Sequence, residues 1–417
     1  MNAACHRSPA ESKGSAYRPA RFRLSAYVAL ALVAALLQGA VHIARADGGA
    51  PNLVYVTGAG TRGDQLAIVD IAKRQVVADT TVGAGGSAVI LSTDARTAYV
   101  ASSQTGDLSL VDTRTHTVRA HIHLGAGAAA LALDMIHLPY HLFVPLTGEN
   151  VVKVVDPDAR KVVATVPVGK APTGIAIVYA GNGFQAGNTP DAEVYVANSG
   201  SDSLTVISAS TNHVKATIPL PDAPLGVVIP GLGGIGYVSM LHGGIVAVNL
   251  ANHQVLATVY TLQGRPGVMD YDAVTGDIFV PDTTAGVVDV LRPAAVPTGG
   301  ASFTPPAEPV RRLPFSGGPV AVAITFDGAL GFVAQHDAGS VVMFDGVTSK
   351  PLATIAVGGS PTALVTGAYP PALTQQTANA LGYILGLLAL LALAAAGLFA
   401  FWRRRTAAKP AIPEDRS

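Results

Sequence analysis

Glu193-Val194-Tyr195-Val196-Ala197-Asn198-Ser199-Gly200 decides the fold: an apolar run breaks into turn formers, and the aromatic-Val pair at its centre recurs along the chain. The pair stands at Tyr55-Val56, Tyr99-Val100, Phe143-Val144, Tyr195-Val196, Tyr237-Val238, Phe279-Val280 and Phe332-Val333. Its spacings are 44, 44, 52, 42, 42 and 53 residues. Seven copies of one unit at this period define a closed or stacked array.

Working outward from the pair, each copy carries the same further landmarks. An alternating apolar run follows, as in Leu66 to Asp70, Leu108 to Asp112 or Val341 to Asp345. Alternation predicts a strand with two unlike faces. Its terminal Asp or Asn, present in five of the seven copies, suits hydrogen bonding to the backbone of a tight turn. A third run ends in Val-Gly, as in Val162 to Gly169, and a fourth of small residues, such as Pro172 to Ile177, leads to the next aromatic. Four short strands in about 44 residues describe a propeller blade, the small-residue run being innermost.

The array also predicts its own closure. The first copy starts at its second strand near Leu53, and the last strand, Pro361 to Val365, is an inner strand with no outer strands after it. Three N-terminal strands and one C-terminal strand complete blade one and leave no free sheet edge. The expectation is an all-β chain folded as a seven-bladed β-propeller with four-stranded blades and 3+1 closure.

These landmarks, aromatic-Val-x-x, V-x-V-[VI]-D, V-x-A-T-[IV]-x-V-G and P-x-G-[IV]-A, closely resemble the YVTN-repeat family of seven-bladed β-propellers from about Leu53 to Gly367. The resemblance implies the fold and leaves the function open, because that family includes surface proteins, periplasmic binding proteins and relatives of haem d1 and lactonase propellers. The Asn that follows the aromatic-Val pair in the family survives only as Asn198. Blades three and six are expected to carry long insertions (Tyr179 to Ala192 and Arg292 to Leu313), both projecting from one face.

The two ends of the chain carry different signals. Residues 1–46 hold a basic leader, an apolar run from Leu24 to about Ile43 and the small-x-small site Ala44-Arg45-Ala46, the pattern of a signal peptide cut after Ala46 or of an uncleaved anchor. Leu381 to Trp402 runs for 22 residues without a charge and is followed by Arg403, Arg404 and Arg405. At about 1.5 Å rise per residue a helix of this length spans a bilayer core, with its C-terminus in the cytoplasm. The expected organisation is thus a signal peptide over 1–46, a propeller over 47–367, a linker over 368–380, a membrane helix over 381–402 and a basic tail over 403–417. The expected location is the cell membrane, crossed once, with the propeller outside the cytoplasmic membrane.

Charge accords with this division. The chain has 27 basic and 27 acidic residues, but the leader and the tail are basic, so residues 47–380 hold 16 of the former and 24 of the latter. An acidic propeller is a poor partner for nucleic acid. The single cysteine, Cys5, lies in the leader, so no disulfide framework or thiol nucleophile is expected in the propeller.

Ligand candidates are sought on the face formed by the loops from second to third strand and by those entering the inner strand, which ring the central funnel. The first set supplies Arg62, Gln104, Glu149, Asn198, His242, Asp282 and His336, and the second Lys170 and Arg265. No acid, base or cation recurs at one loop position, and no catalytic residue, metal site or cofactor is predicted. The pairs His121/His123 and His137/His141 belong to opposite ends of a blade, about 17 Å apart, too far to share a metal. The leading expectation is a non-catalytic domain that binds a protein or small molecule, or acts as a scaffold. The alternatives are a lactonase or oxidoreductase acting through the funnel and, from Arg62-Gly63-Asp64, a surface adhesion protein.

Overall fold

The computed structural model describes residues 52–179, 191–230, 234–293 and 308–367, and they form seven four-stranded antiparallel sheets. Every aromatic-Val pair lies in the second strand from the axis: Leu53–Ala59, Thr97–Ser102, Leu142–Leu146, Ala192–Asn198, Ile235–Met240, Ile278–Asp282 and Leu330–Gln335. The expected signal peptide with its Ala46 cleavage site, the linker, the membrane helix and the tail lie outside the described residues. Among the described residues no helix is long and apolar enough to cross a membrane.

Alternation along the strands has a more specific meaning than two unlike faces. The third strand of blade one, Gln65–Asp70, is buried at all but its first residue, because neighbouring blades cover both sides of each sheet. Leu53, Tyr55, Leu66 and Ile68 pack toward blade two, whereas Val54, Val56, Ala67 and Val69 pack toward blade seven. Period-two patterning therefore sorts residues between two blade interfaces. Each of the seven interfaces receives one of the seven landmark aromatics. Removing one such ring costs about 3–5 kcal/mol, so these side chains hold the ring of blades together.

Closure follows the expected 3+1 pattern. The last strand, Ala363–Gly367, pairs antiparallel with Leu53–Ala59 from Leu53↔Gly367 to Thr57↔Ala363. Elsewhere side-chain hydroxyls join inner strands of adjacent blades: Thr362 bonds the Gly86 carbonyl, Ser87 that of Ala128, and Thr173 that of Leu225, while between blades three and four Thr147, just after a second strand, bonds that of Pro172. Blades three and six depart from regularity, with inner strands of two residues, Ala132–Leu133 and Asp270–Tyr271. At the seam between blades six and seven the backbone replaces the hydroxyl: the Val268 N–H donates to the Val320 carbonyl (2.7 Å), and the Val322 N–H donates back to Val268 (3.2 Å).

Strand direction gives the disc two distinct faces. Loops from second to third strand, and from outer strand to the next inner strand, emerge on what we call the funnel face. Loops from inner to second strand, and from third to outer strand, emerge on the opposite, exit face, where both Leu53 and Gly367 lie. The strand ends flanking both insertions also lie there, as expected, although the first insertion falls within the fourth sheet because each repeat contributes its fourth run to the next blade.

In four blades the exit-face turn follows from the terminal Asp of the third strand. Asp70 Oδ1 accepts the Lys73 N–H, Asp112 those of Arg114 and Thr115, Asp156 that of Ala159, and Asp345 those of Val347 and Thr348. One residue further on, the chain turns left-handed at Arg74, His116, Arg160, Asn212, His253 and Ser349, all with φ between 53° and 62°. Six non-glycine residues hold this conformation, which the preceding side-chain hydrogen bonds and the strands on either side enforce.

Candidate functional site

The funnel face is built from two loop sets that the second strands tie together. The last residue of a second strand lies beneath both loops, and there the sequence places Ser102, Asn198, Asp282 and Gln335, all buried. Asp282 accepts the N–H groups of Gln263 and Gly264 on one oxygen and those of Thr284 and Ala285 on the other, at 2.9–3.1 Å. It thereby fastens the loop entering blade six to that blade's second-to-third loop. Asn198 donates through Nδ2 to Ser203 Oγ (3.3 Å) and Thr205 Oγ1 (2.9 Å). A glycine in the loop entering each of these two blades lets the loops close this far. A Cβ on Gly169 would lie 2.6 Å from Asn198 Cγ, and one on Gly264 would lie 2.6 Å from Asp282 Oδ1.

Asn198 and Asp282 are thus buried beneath the loops and not exposed at their tips, and of the two Asp282 bridges the loops. The remaining candidates stand on the surface of the same face, one blade after another. Arg62 pairs with Asp64 of its own tripeptide at 3.5 Å. Glu149 lies 3.7 Å from Lys153. His242 receives the Asp222 carboxylate from the preceding loop, through Nδ1 at 2.9 Å and through its backbone N–H. His336 Nδ1 meets Asp337 at 3.1 Å. Lys170 and Arg265 are exposed on the loops entering blades four and six, and Gln104 caps the second blade's turn against Gly85. Burial alone would raise the Asp222 carboxyl, but His242 and backbone donors from Ala223 and His242 outweigh it and keep the group below its usual range.

The histidine pairs have local partners. Cross-strand register places His121 opposite Ser109 and His123 opposite Asp107, each Nδ1 at 2.9 Å from its neighbour's oxygen. His137 meets the buried Asp134 at 2.6 Å in an inner-to-second loop of blade three. Among the described residues no group of three or more His, Cys, Asp or Glu side chains is arranged to hold a metal ion. A shallow groove of about 530 Å³ opens on the flank of blade four, lined by Gly169, Ser201, Ser203, Thr205 and Thr217 among others.

Two polar features escaped the sequence reading. Glu193 is buried between blades four and five and accepts from Tyr195 Oη (2.8 Å), Lys215 and His253 Nε2 (3.1 Å). Burial opposes its charge, yet these three donors hold the carboxyl below its usual range. Asp270, on the short inner strand of blade six, accepts the Ile324 N–H of blade seven at 2.8 Å, and burial pushes its carboxyl up to about 6. An acid directly before or after an apolar run is the only sequence signal either one leaves.

No protein-family model matches the chain, and no curated protein matches it in sequence. Solved structures do resemble it. A functionally unknown protein from Desulfotomaculum acetoxidans is 15% identical with a TM-score of 0.60, covering 76% of this chain and 99% of that one. Hydrazine synthase from Kuenenia stuttgartiensis is 18% identical with a TM-score of 0.55, over 67% of this chain and 89% of that one. The dihydro-heme d1 dehydrogenase NirN is 17% identical with a TM-score of 0.53, over 78% and 76% respectively. Likeness at this identity establishes the propeller fold alone.

Proposed function

We propose that the chain is a membrane-anchored propeller of the YVTN-repeat type that binds a protein or small-molecule partner on its funnel face, outside the cytoplasmic membrane. One observation carries the reading. At blade six the two loops of that face are locked to one another from below by Asp282, and at blade four Asn198 is buried against the third strand, while the exposed tips above, Arg62, Glu149, His242 and Arg265, differ from blade to blade. A buried, fixed support beneath variable exposed tips is an arrangement suited to recognition, since little ordering entropy remains to be lost on binding.

The leader, with its Ala46 cleavage site, and the span over 381–402 support the location. The test compares the full-length protein in its native membranes with a variant carrying Arg62→Ala, His242→Ala and Arg265→Ala, all at exposed positions. Chemical crosslinking in native membranes should trap a discrete partner with the parent chain and lose it with the variant at unchanged thermal stability. Recovery of the same crosslink from both chains overturns the assignment of the face.

A further inference from the structure

Large exposed apolar side chains are distributed unequally between the two faces. Among the described residues twelve are exposed, and eleven of them lie in exit-face loops or on outer strands close to their exit-face ends; Val268 is the exception. Five stand out on loop tips: Met135 and Leu138 in blade three, at 50% and 78% exposure, and Val274, Phe326 and Val347 in blades six and seven, at 69%, 76% and 78%. Water-exposed side chains of this size, concentrated on one face, mark a surface that meets something apolar.

The tips in blades six and seven belong to one connected surface. A Cβ on Gly328, beside Phe326, would lie 2.7 Å from Asp272, in the loop that carries Val274. The Gly346 N–H, beside Val347, donates to the Ala329 carbonyl at 2.9 Å. Arg311 Nη1 fixes the same loop through the carbonyls of Gly346 and Val347. In a ring of seven, blade three stands opposite the gap between blades six and seven, so the two apolar groups flank the axis and define a plane.

Chain direction says what lies against that plane. The last strand ends at Gly367 on the exit face, and only residues 368–380 separate it from the apolar stretch Leu381–Trp402. Thirteen residues reach at most about 45 Å even when fully extended. A tether this short, leaving from this face, holds the exit face and not the funnel face next to the bilayer. Acids outnumber cations in the exit-face turns and the strand ends beside them, so contact through apolar insertion fits better than attraction to anionic lipid.

We propose that the exit face seats on the lipid surface, with Met135 and Leu138 on one side of the ring and Val274, Phe326 and Val347 on the other entering the headgroup region. This rests on the anchor reading above, and it leaves the funnel face turned away from the membrane and open to partners.

The test uses the full chain with Cys5→Ser in vesicles of phosphatidylethanolamine and phosphatidylglycerol. Single fluorescent labels are placed through Leu138→Cys or Phe326→Cys on the exit face, and through Gln104→Cys or Ala338→Cys on the funnel face. A headgroup-attached quencher should dim the exit-face labels at least about threefold more than the funnel-face labels, as expected for insertion to headgroup depth. Adding Leu138→Ser and Val347→Ser to the chain labelled at 326 should reduce that dimming, with the melting temperature unchanged. Alkaline carbonate extraction separates the two readings. A chain washed off the vesicles defeats the anchor, and the seating with it. A chain that stays but dims equally on both faces, or not at all, overturns the seating alone, as does energy transfer between exit-face labels of two chains without quenching by lipid.

Discussion

The two faces of this propeller are stabilised by different devices, and the difference shows how one repeat builds two unlike loop surfaces. On the funnel face, buried polar side chains at the ends of second strands hold loops whose glycines admit close approach, as Asp282 does beneath Gly264. On the exit face, Asp side chains at the ends of third strands hold turns that pass through a left-handed residue, as Asp70 does before Arg74. The first device reaches across from one blade to the next, whereas the second stays within a single hairpin. Loss of the first therefore loosens a surface, and loss of the second loosens one turn.

The strongest challenge to this contrast is Asp282→Ala. It leaves four backbone N–H groups without their acceptor, and a loss of about 2–4 kcal/mol in urea-induced unfolding is expected. Asp282→Asn should recover part of it, and a loss no greater than that of an exit-face turn would remove the distinction.

Asp270 tests the seam between blades six and seven. Its carboxyl titrates near 6 when folded and near 4 when unfolded, so the folded state holds more protons between those values. Stability should therefore fall as pH rises from about 4 to 6 and remain lower above that. Asp270→Asn keeps an acceptor for Ile324 and should flatten this interval, gaining about 1–3 kcal/mol at pH 7 by thermal or chemical unfolding.

The smallest effect is expected on the exit face. Asp70→Ala removes one turn cap and its Lys73 partner, for about 1–2 kcal/mol. The sign of its pH dependence is opposite to that of Asp270. The Lys73 backbone N–H and ammonium hold Asp70 below its usual range, so its contribution is present above about pH 4 and lost as pH falls through the folded value. Acid titration of the two variants side by side distinguishes them.

Much of the architecture was legible because blade packing writes itself into every copy. Tyr55, Tyr99 and Phe143 announce three successive interfaces, and the inner strand near Leu364 announces its pairing with Leu53–Ala59. The funnel face was legible only in part. Asn198 and Asp282 look like exposed loop residues in isolation, yet Leu146 and Met240 occupy the same strand-end register in other copies and are equally buried. Comparing copies at that register is the signal that separates them from His242. The short inner strands of blades three and six left no such trace, because their irregularity comes from contacts with neighbouring blades, such as that of Val268 with Val320.

The pairing of the first and last described strands also sets a clock. Thr57 and Thr362 meet across 305 positions, and Leu53–Ala59 has no inner neighbour until the final strand arrives. At about 5–20 residues per second of synthesis, that edge waits roughly 15–60 s, long enough for a folding helper or a stray strand to reach it. The ring is therefore most exposed to misassembly during its birth, and its last few residues end that interval.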